Sequence, residues 1–264
     1  MILAGGVGSR FWPLSTPSLP KQLLPLVTDK PLIADTLERV AALAPAEKTL
    51  ILTNASLADV VREACPEIPR ANVIAEPKPA GTAAALSWAA AEIERRDGSD
   101  AVMVCVHADW AIADVEEFRN TLKVAAEAAD KNRSLVTVGI VPTRPDPGLG
   151  YIEPGQKISD RVSSVGRFVE KPDAARAEQM IAGGALWNSG IFAWRVGDFL
   201  DEVRALTPEV APALENISPG ETGLQKFFAD VKSIAVDVGV LERSRKVQVV
   251  AGNFGWDDIG TWGA

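Results

Sequence analysis

The 264-residue sequence predicts an α/β fold in which a mainly parallel, mixed sheet is flanked by helices on both faces. Three observations carry this. Short apolar runs alternate with helical periods along most of the chain. The run over 101–106 is apolar without alternation, as expected of a strand covered on both sides. Between the runs, Val115, Phe118, Leu122, Ala125, Ala126 and Ala129 recur at the spacing of a helix with one buried stripe.

Taken in order, Ile2 and Leu3 form a short first strand, followed by a helical period on Leu37, Val40, Ala41 and Ala44. Strands are predicted over 50–53 and 72–75, an Ala-rich helix over 83–95, the buried strand over 101–106, the striped helix from 115, and a strand over 135–140. Proline and glycine cluster over 142–150, which reads as a loop and not as a linker between domains. Strands follow over 161–170 and 187–195, with a helix over 173–182 between them. No repeat or low-complexity tract interrupts the pattern. Both ends look closely cut, since two residues make a short central strand and the chain stops two residues after Trp262; further residues are expected at one or both ends.

Hydrophobic residues make up 47% and charged residues 23%, which excludes a disordered or fibrous chain. Two cysteines, Cys65 and Cys105, cannot build a disulfide framework, and no signal peptide or apolar run of membrane-spanning length stands out, so a cytoplasmic protein without a membrane partner is expected. The 27 basic and 35 acidic residues leave a net charge of −8 with no basic block, which argues against nucleic acid as a partner but not against a small anion held by local cations. The single histidine excludes a histidine-rich metal site.

The most informative segment is Leu3-Ala4-Gly5-Gly6-Val7-Gly8-Ser9-Arg10-Phe11-Trp12-Pro13. Three glycines in four positions let the backbone approach a ligand and turn successive N–H groups toward it, an arrangement suited to phosphate oxygens. Arg10 follows at once and Lys21 stands in Pro20-Lys21-Gln22, so two cations are at hand. The dinucleotide fingerprint would need glycine where Phe11 stands, and the Gly-Lys-Ser/Thr of a P-loop is absent. Asp109 directly follows the buried strand, and ligands of open α/β sheets bind at the carboxyl ends of strands. A second acidic pair, Asp257-Asp258, lies in an aromatic-flanked turn, Asp257 reading as a solvated neighbour. Glu170 and Lys171 sit side by side on an extended segment and are expected to point opposite ways, so that they need not pair. Asn188 can both donate and accept, as recognition of a hydroxyl pair requires. Trp88 and Trp194 read as packing.

The glycine segment with Pro20-Lys21-Gln22 resembles the sugar-1-phosphate nucleotidylyltransferases, above all the mannose-1-phosphate guanylyltransferases. The resemblance runs on in order through Glu76-Pro77, His107-Ala108-Asp109, Gly150-Tyr151-Ile152, Val169-Glu170-Lys171-Pro172, the stretch from Trp187 through Asn188 to Phe192, and that from Trp256 to Trp262. It implies a Rossmann-like, GT-A-like fold forming a single domain over 1–264. A nucleotide-binding part of about 1–140 and a sugar-binding part of about 141–264 are implied, without the β-rich C-terminal region of longer relatives. It implies transfer of GMP from GTP to mannose 1-phosphate, giving GDP-mannose and pyrophosphate by in-line attack without a covalent intermediate. Mg²⁺ would be held by Asp109 and Asp258. Arg10, Lys21 and Lys171 would complete the catalytic set. Leu3, Ala4, Gly5, Gly6, Gly8, Ser9, Glu76, Pro77, Gly81 and Thr82 would line the nucleotide. Gly150, Tyr151 as an aromatic wall, Glu170, Lys171 and Asn188 would meet the sugar phosphate.

Two positions depart from the family pattern. Ala80-Gly81-Thr82-Ala83 stands where guanylyltransferases carry Arg/Lys-Asn-Thr-Ala, and Trp110 replaces a histidine after the metal aspartate. Gly81-Thr82-Ala83 is nearer to uridylyl- and thymidylyl-transferring relatives, although those carry Gln where Glu76 stands. A related enzyme using UTP or dTTP with glucose 1-phosphate, and a catalytically silent regulatory homologue, are the alternatives. The sequence leaves the oligomeric state open, a homodimer included.

Overall fold

A computed structural model describes residues 1–6, 8 and 11–260. Strands β1 (Ile2–Leu3), β2 (Ile51–Asn54), β3 (Val73–Glu76) and β4 (Val102–His107) alternate with helices α1 (Leu32–Val40), α2 (Ala58–Ala64) and α3 (Gly81–Asp97). After a two-residue strand β5 (Ala111–Ile112) come α4 (Val115–Asn132), β6 (Leu135–Ile140), β7 (Tyr151–Lys157), β8 (Val162–Val169), α5 (Ala174–Ala182) and β9 (Leu186–Arg195). Helices α6 (Val196–Leu206), α7 (Ala211–Glu215) and α8 (Gly220–Asp230), a one-turn π-helix at Asp237–Leu241, β10 (Val247–Gly252) and β11 (Trp256–Asp257) complete the chain.

Nine strands form one sheet in the order β3-β2-β1-β4-β9-β6-β10-β8-β7. The first four are parallel neighbours and β6 runs parallel to β10, whereas β9 is antiparallel to both β4 and β6, and β8 to both β10 and β7. The mixed sheet and its flanking helices match the predicted class. Because β2 and β3 extend one way from β1 and β4 lies on the other side, the direction of winding reverses between β1 and β4. Ligand crevices of open α/β sheets form at such a reversal.

Both faces are buried, as the unalternating run of β4 predicts. Ile2, Ile51 and Val106 pack toward α1 and α4 through Ile33, Leu37, Phe118 and Leu122. Leu3, Leu52, Met103 and Cys105 pack toward α3, α6 and α8. Burial in this core pushes the thiols of Cys65 and Cys105 up to about 12. Trp194 stacks on Phe199 at 4.3 Å and Trp88 lies 5.5 Å from Phe227, so both act as packing groups, as expected. Among the described residues no helix is long and apolar enough to cross a membrane.

The predicted strands of the first half fall within a residue or two of their observed bounds. Helix α1 begins at Leu32, ahead of the expected stripe, and ends at Val40 because the following residues turn toward Pro45. The sequence offers no strand signal for β7, which contains Pro154 and Gly155. The sheet tolerates both because this part of β7 is an edge with irregular register.

The start of α3 is tied to a distant segment. Gly81 has φ +79°, and a Cβ there would collide with the carbonyl group of Ile234. Val236 N–H donates to Thr82 Oγ1 at 2.9 Å. Glycine at 81 is therefore required by a close backbone crossing. Gly81→Ala should lower the unfolding free energy by roughly 1–3 kcal/mol, seen as a lower urea midpoint at unchanged m-value.

Candidate active site

The carboxyl ends of β1–β4 present Ala4, Asn54, Glu76 and His107 side by side, and these ends carry the first half of the site. The Ala4 carbonyl accepts from Gln22 Nε2 at 2.7 Å and from Thr53 Oγ1 at 2.9 Å, and the Gly5 carbonyl accepts from Asn54 Nδ2 at 2.8 Å. The loop carbonyls are thus drawn inward by side chains. Gly6 is exposed with open space where a side chain would stand. Ser9 and Arg10 lie outside the described residues.

Lys21 occupies a short 3₁₀ turn and is 5% exposed. Its stem passes so close to Gly8, at φ +64°, that a Cβ on Gly8 would collide with the Lys21 Cβ. Its Nζ donates to Asp109 Oδ2 at 3.1 Å and to the Asp258 carbonyl at 2.5 Å. A buried ammonium costs several kcal/mol unless paired, so these acceptors account for its placement. They also bring residues 21, 109 and 258 to one point. The Asp109 side chain keeps 32% of its surface open, enough to reach a further ligand.

Glu76 ends β3 as a buried carboxylate. Its Oε1 accepts from Ala80 N–H at 3.0 Å, while Oε2 faces Gly5, 4.0 Å from where a Cβ of that residue would stand. Burial pushes this carboxyl above its ordinary range, partly opposed by the Ala80 hydrogen bond. Leu3 and Ala4 are buried beneath the loop, Pro77 is half-buried, and the 234–236 segment crosses Gly81, bonds the main chain of Ala80 and Ala83 and donates to the Thr82 hydroxyl.

The second half gathers around β7–β9. A Cβ on Gly150 would lie 2.9 Å from Glu170 Oε2 and 3.5 Å from Asn188 Cβ, so Gly150, Glu170 and Asn188 converge. Three expectations are corrected. Glu170 and Lys171 do pair, with Nζ donating to Oε1 at 2.5 Å, because Lys171 has φ +44° and leaves the pleat that would have separated them. Tyr151 is no aromatic wall: its ring is fully buried, and its hydroxyl accepts from Asp146 N–H at 2.9 Å, pinning the 142–150 loop. Asp257, read as a solvated neighbour, instead accepts from Ile259 N–H at 2.7 Å and faces Arg144 at 3.6 Å. Arg144 also lies 5.4 Å over the Trp187 ring, so it ties the loop to both. Trp187 and Trp256 pack as buried neighbours and Trp110 stacks on His107 at 4.7 Å, whereas Trp12 is 74% exposed.

Sequence reasoning missed Asp237. It starts the π-helical turn, and its Oδ1 accepts from Asn188 Nδ2 at 2.8 Å. The available signal was a carboxylate enclosed by Val236 and Val238. Burial pushes its carboxyl up and nearby Glu170 adds to this, against the pull of the Asn188 bond and of His107. Burial lowers the His107 pKa, Asp109 and Asp237 opposing the shift.

An α/β sheet with polar residues converging at its winding reversal defines a ligand-binding domain of the open α/β class. The chain belongs to the nucleotidyl transferase family, whose model matches residues 1–264. It is 37% identical over 273 residues to the xanthan biosynthesis protein XanB of Xanthomonas campestris pv. campestris, covering 99% of this chain and 57% of that protein. It is 34% identical to a mannose-1-phosphate guanylyltransferase of Sinorhizobium fredii, covering 100% of this chain and 53% of that one. A crystal structure described as a mannose-1-phosphate geranyltransferase from Thermus thermophilus superposes with a TM-score of 0.91 at 35% identity, covering 99% of this chain and 76% of that chain. The chain spans little more than half the length of the first two relatives.

The raised carboxyl of Asp237 has a pH consequence. The folded state binds a proton there more tightly than the unfolded chain, so its contribution is fully favourable only below the unfolded value of 3.8 and is lost as pH rises through the higher folded value. Asp237→Asn keeps an acceptor for Asn188 without this penalty. The Tm of the variant relative to the parent should therefore climb as pH is raised from 3.8 toward neutrality, read by thermal melts across that range.

Proposed function

We propose that the chain transfers GMP from GTP to mannose 1-phosphate, releasing pyrophosphate and giving GDP-mannose. The single observation that carries this reading is the Lys21 ammonium shared by Asp109 and the main chain of Asp258 beside the glycine loop. It unites the motif residues 21, 109 and 258 that a phosphate-transfer site would need. The Sinorhizobium relative's name supplies the sugar and the base.

The sugar phosphate is already ionised at neutral pH, so no general base is required and catalysis rests on positioning and charge neutralisation. The loop amides, with Arg10 and Lys21, hold the triphosphate. Lys171 exchanges its contact with Glu170 for the attacking phosphate. Asp109 and Asp258 are the residues that would hold Mg²⁺. Among the described residues no group of three or more His, Cys, Asp or Glu side chains is arranged for a metal; Lys21 joins the Asp109 carboxylate to the Asp258 main chain, and the proposed donors are the two aspartate carboxylates. That donor set fits a hard ion that completes its octahedron with water and phosphate oxygens. When bound, the ion supplies charge stabilisation at the phosphates. The protein acts through small substrates, with no role for nucleic acid or membrane, and a homodimer is compatible with this chemistry.

Glu76 favours guanine. With Oε1 held by Ala80, Oε2 remains to accept from the base N1–H and amino group. The glycine at 81, which resembles the uridylyl pattern, is accounted for by the crossing of Ile234 and needs no base preference to explain it.

Two measurements test the reading. Lys21→Ala should reduce kcat/KM by about 10²–10³ in a coupled pyrophosphate-release assay with Mg²⁺; retention of most turnover would remove Lys21 from the site. In a screen of GTP, UTP, dTTP and ATP with one sugar phosphate, the parent should prefer GTP. Glu76→Gln should lower its GTP/UTP preference by about tenfold or more, given a hydrogen bond to a charged group. Failure of the parent with every nucleotide and sugar phosphate would favour the silent homologue.

A further inference from the structure

Asn188 can both give and take a hydrogen bond, yet its amide is not free to rotate. Its Nδ2 donates to Asp237 Oδ1 at 2.8 Å, and its Oδ1 accepts from Gly190 N–H at 3.3 Å. Thr137 Oγ1 also reaches Oδ1, at 3.5 Å, so one amide hydrogen is left, in a direction set by those partners. Gly150 packs against the same amide and against Glu170 Oε2, and its lack of a side chain leaves room beside them.

The segment that carries Asp237 is itself held by other parts of the chain. Val236 is tied to Thr82, the Ile234 backbone crosses Gly81, and the Gly239 carbonyl accepts from the buried Thr207 hydroxyl at 2.8 Å. A single turn of π-helix is an uncommon conformation that frequently marks a functional position. Here it begins at a half-buried carboxylate whose Oδ1 holds the Asn188 amide and which takes no other side-chain donor among the described residues. A carboxylate in that setting is costly unless a donor is supplied. The donors that fit a gap bordered by Asp237, Asn188 and Glu170 are neutral hydroxyls, because a phosphate would meet two carboxylates.

We propose that Asp237 is a specificity-determining residue of the sugar pocket, accepting a hydroxyl of the sugar 1-phosphate through Oδ2 while Oδ1 locks the Asn188 amide for an adjacent hydroxyl. The proposal rests on the reading of this site as one for a sugar phosphate. It assigns Asp237 to the sugar and not to the nucleotide.

The test uses the protein with Mg²⁺, GTP, mannose 1-phosphate and its mono-deoxy derivatives, comparing the parent with Asp237→Ala and Asp237→Asn. For Asp237→Ala the KM for mannose 1-phosphate should rise about tenfold or more, as for a lost hydrogen bond to a charged group, with the GTP KM within about twofold. Asp237→Asn, which still binds Asn188, should fall between. One mono-deoxy sugar phosphate should be used much less well than mannose 1-phosphate by the parent but equally well by Asp237→Ala, a loss of discrimination that a merely structural role would not produce. An unchanged sugar KM overturns the proposal. So does a parallel rise in both KM values with a lowered Tm, or discrimination among the deoxy sugars that survives in Asp237→Ala. A parent that turns over no sugar phosphate overturns the functional reading itself, and the proposal with it; an active parent with unaffected variants overturns the proposal alone.

Discussion

The arrangement depends on one buried cation. Lys21 gives up nearly all contact with water, and the Asp109 carboxylate and Asp258 carbonyl replace that hydration. No local sequence preference brings residues 21, 109 and 258 together. The desolvation of a single ammonium does so, since leaving it unpaired would cost several kcal/mol. Gly8 belongs to the same constraint, because any larger residue would collide with the lysine stem and push the ammonium away from both acceptors.

Around that point the site has two sides. On the β1–β4 side the buried Lys21 ammonium stands with the carboxylates of Asp109 and Glu76. On the β7–β9 side, Glu170 and Asp237 are acceptors that suit hydroxyls, with Lys171 at the boundary held by Glu170. The overall charge of −8 makes such local grouping necessary, since a phosphate ligand is drawn by neighbouring cations and not by the field of the molecule. The two sides are cross-linked: Thr82 holds Val236 beside Asp237, and Arg144 joins the 142–150 loop to Asp257, next to Asp258.

Much of the fold was legible because strand and helix periods are local. The unalternating apolar run of β4 announced a strand buried on both faces, and the stripe through Phe118, Leu122 and Ala125 announced the face of α4 that packs on it. Parts of the second half were less readable. Strand β7 carries Pro154 and Gly155, which signal a loop unless an edge position excuses them, and the π-helical turn at Asp237 has no sequence period of its own. In the site, the glycines, Lys21, Asp109, Glu76, Gly150, Glu170 and Asn188 stood out by type and context.

By itself the sequence determined the α/β class, the order of the main strands and the residue types from which a phosphate and hydroxyl site can be assembled, because hydrophobic periodicity and glycine placement act over a few residues. Partnership was decided only in three dimensions. A left-handed backbone at Lys171 turned two side chains expected to diverge into an ion pair, burial converted the Tyr151 ring from a wall into a loop anchor, and a crossing at Ile234 explained Gly81. Each outcome depends on a contact between segments far apart in the chain, and the energy of such a contact is not written in either segment alone.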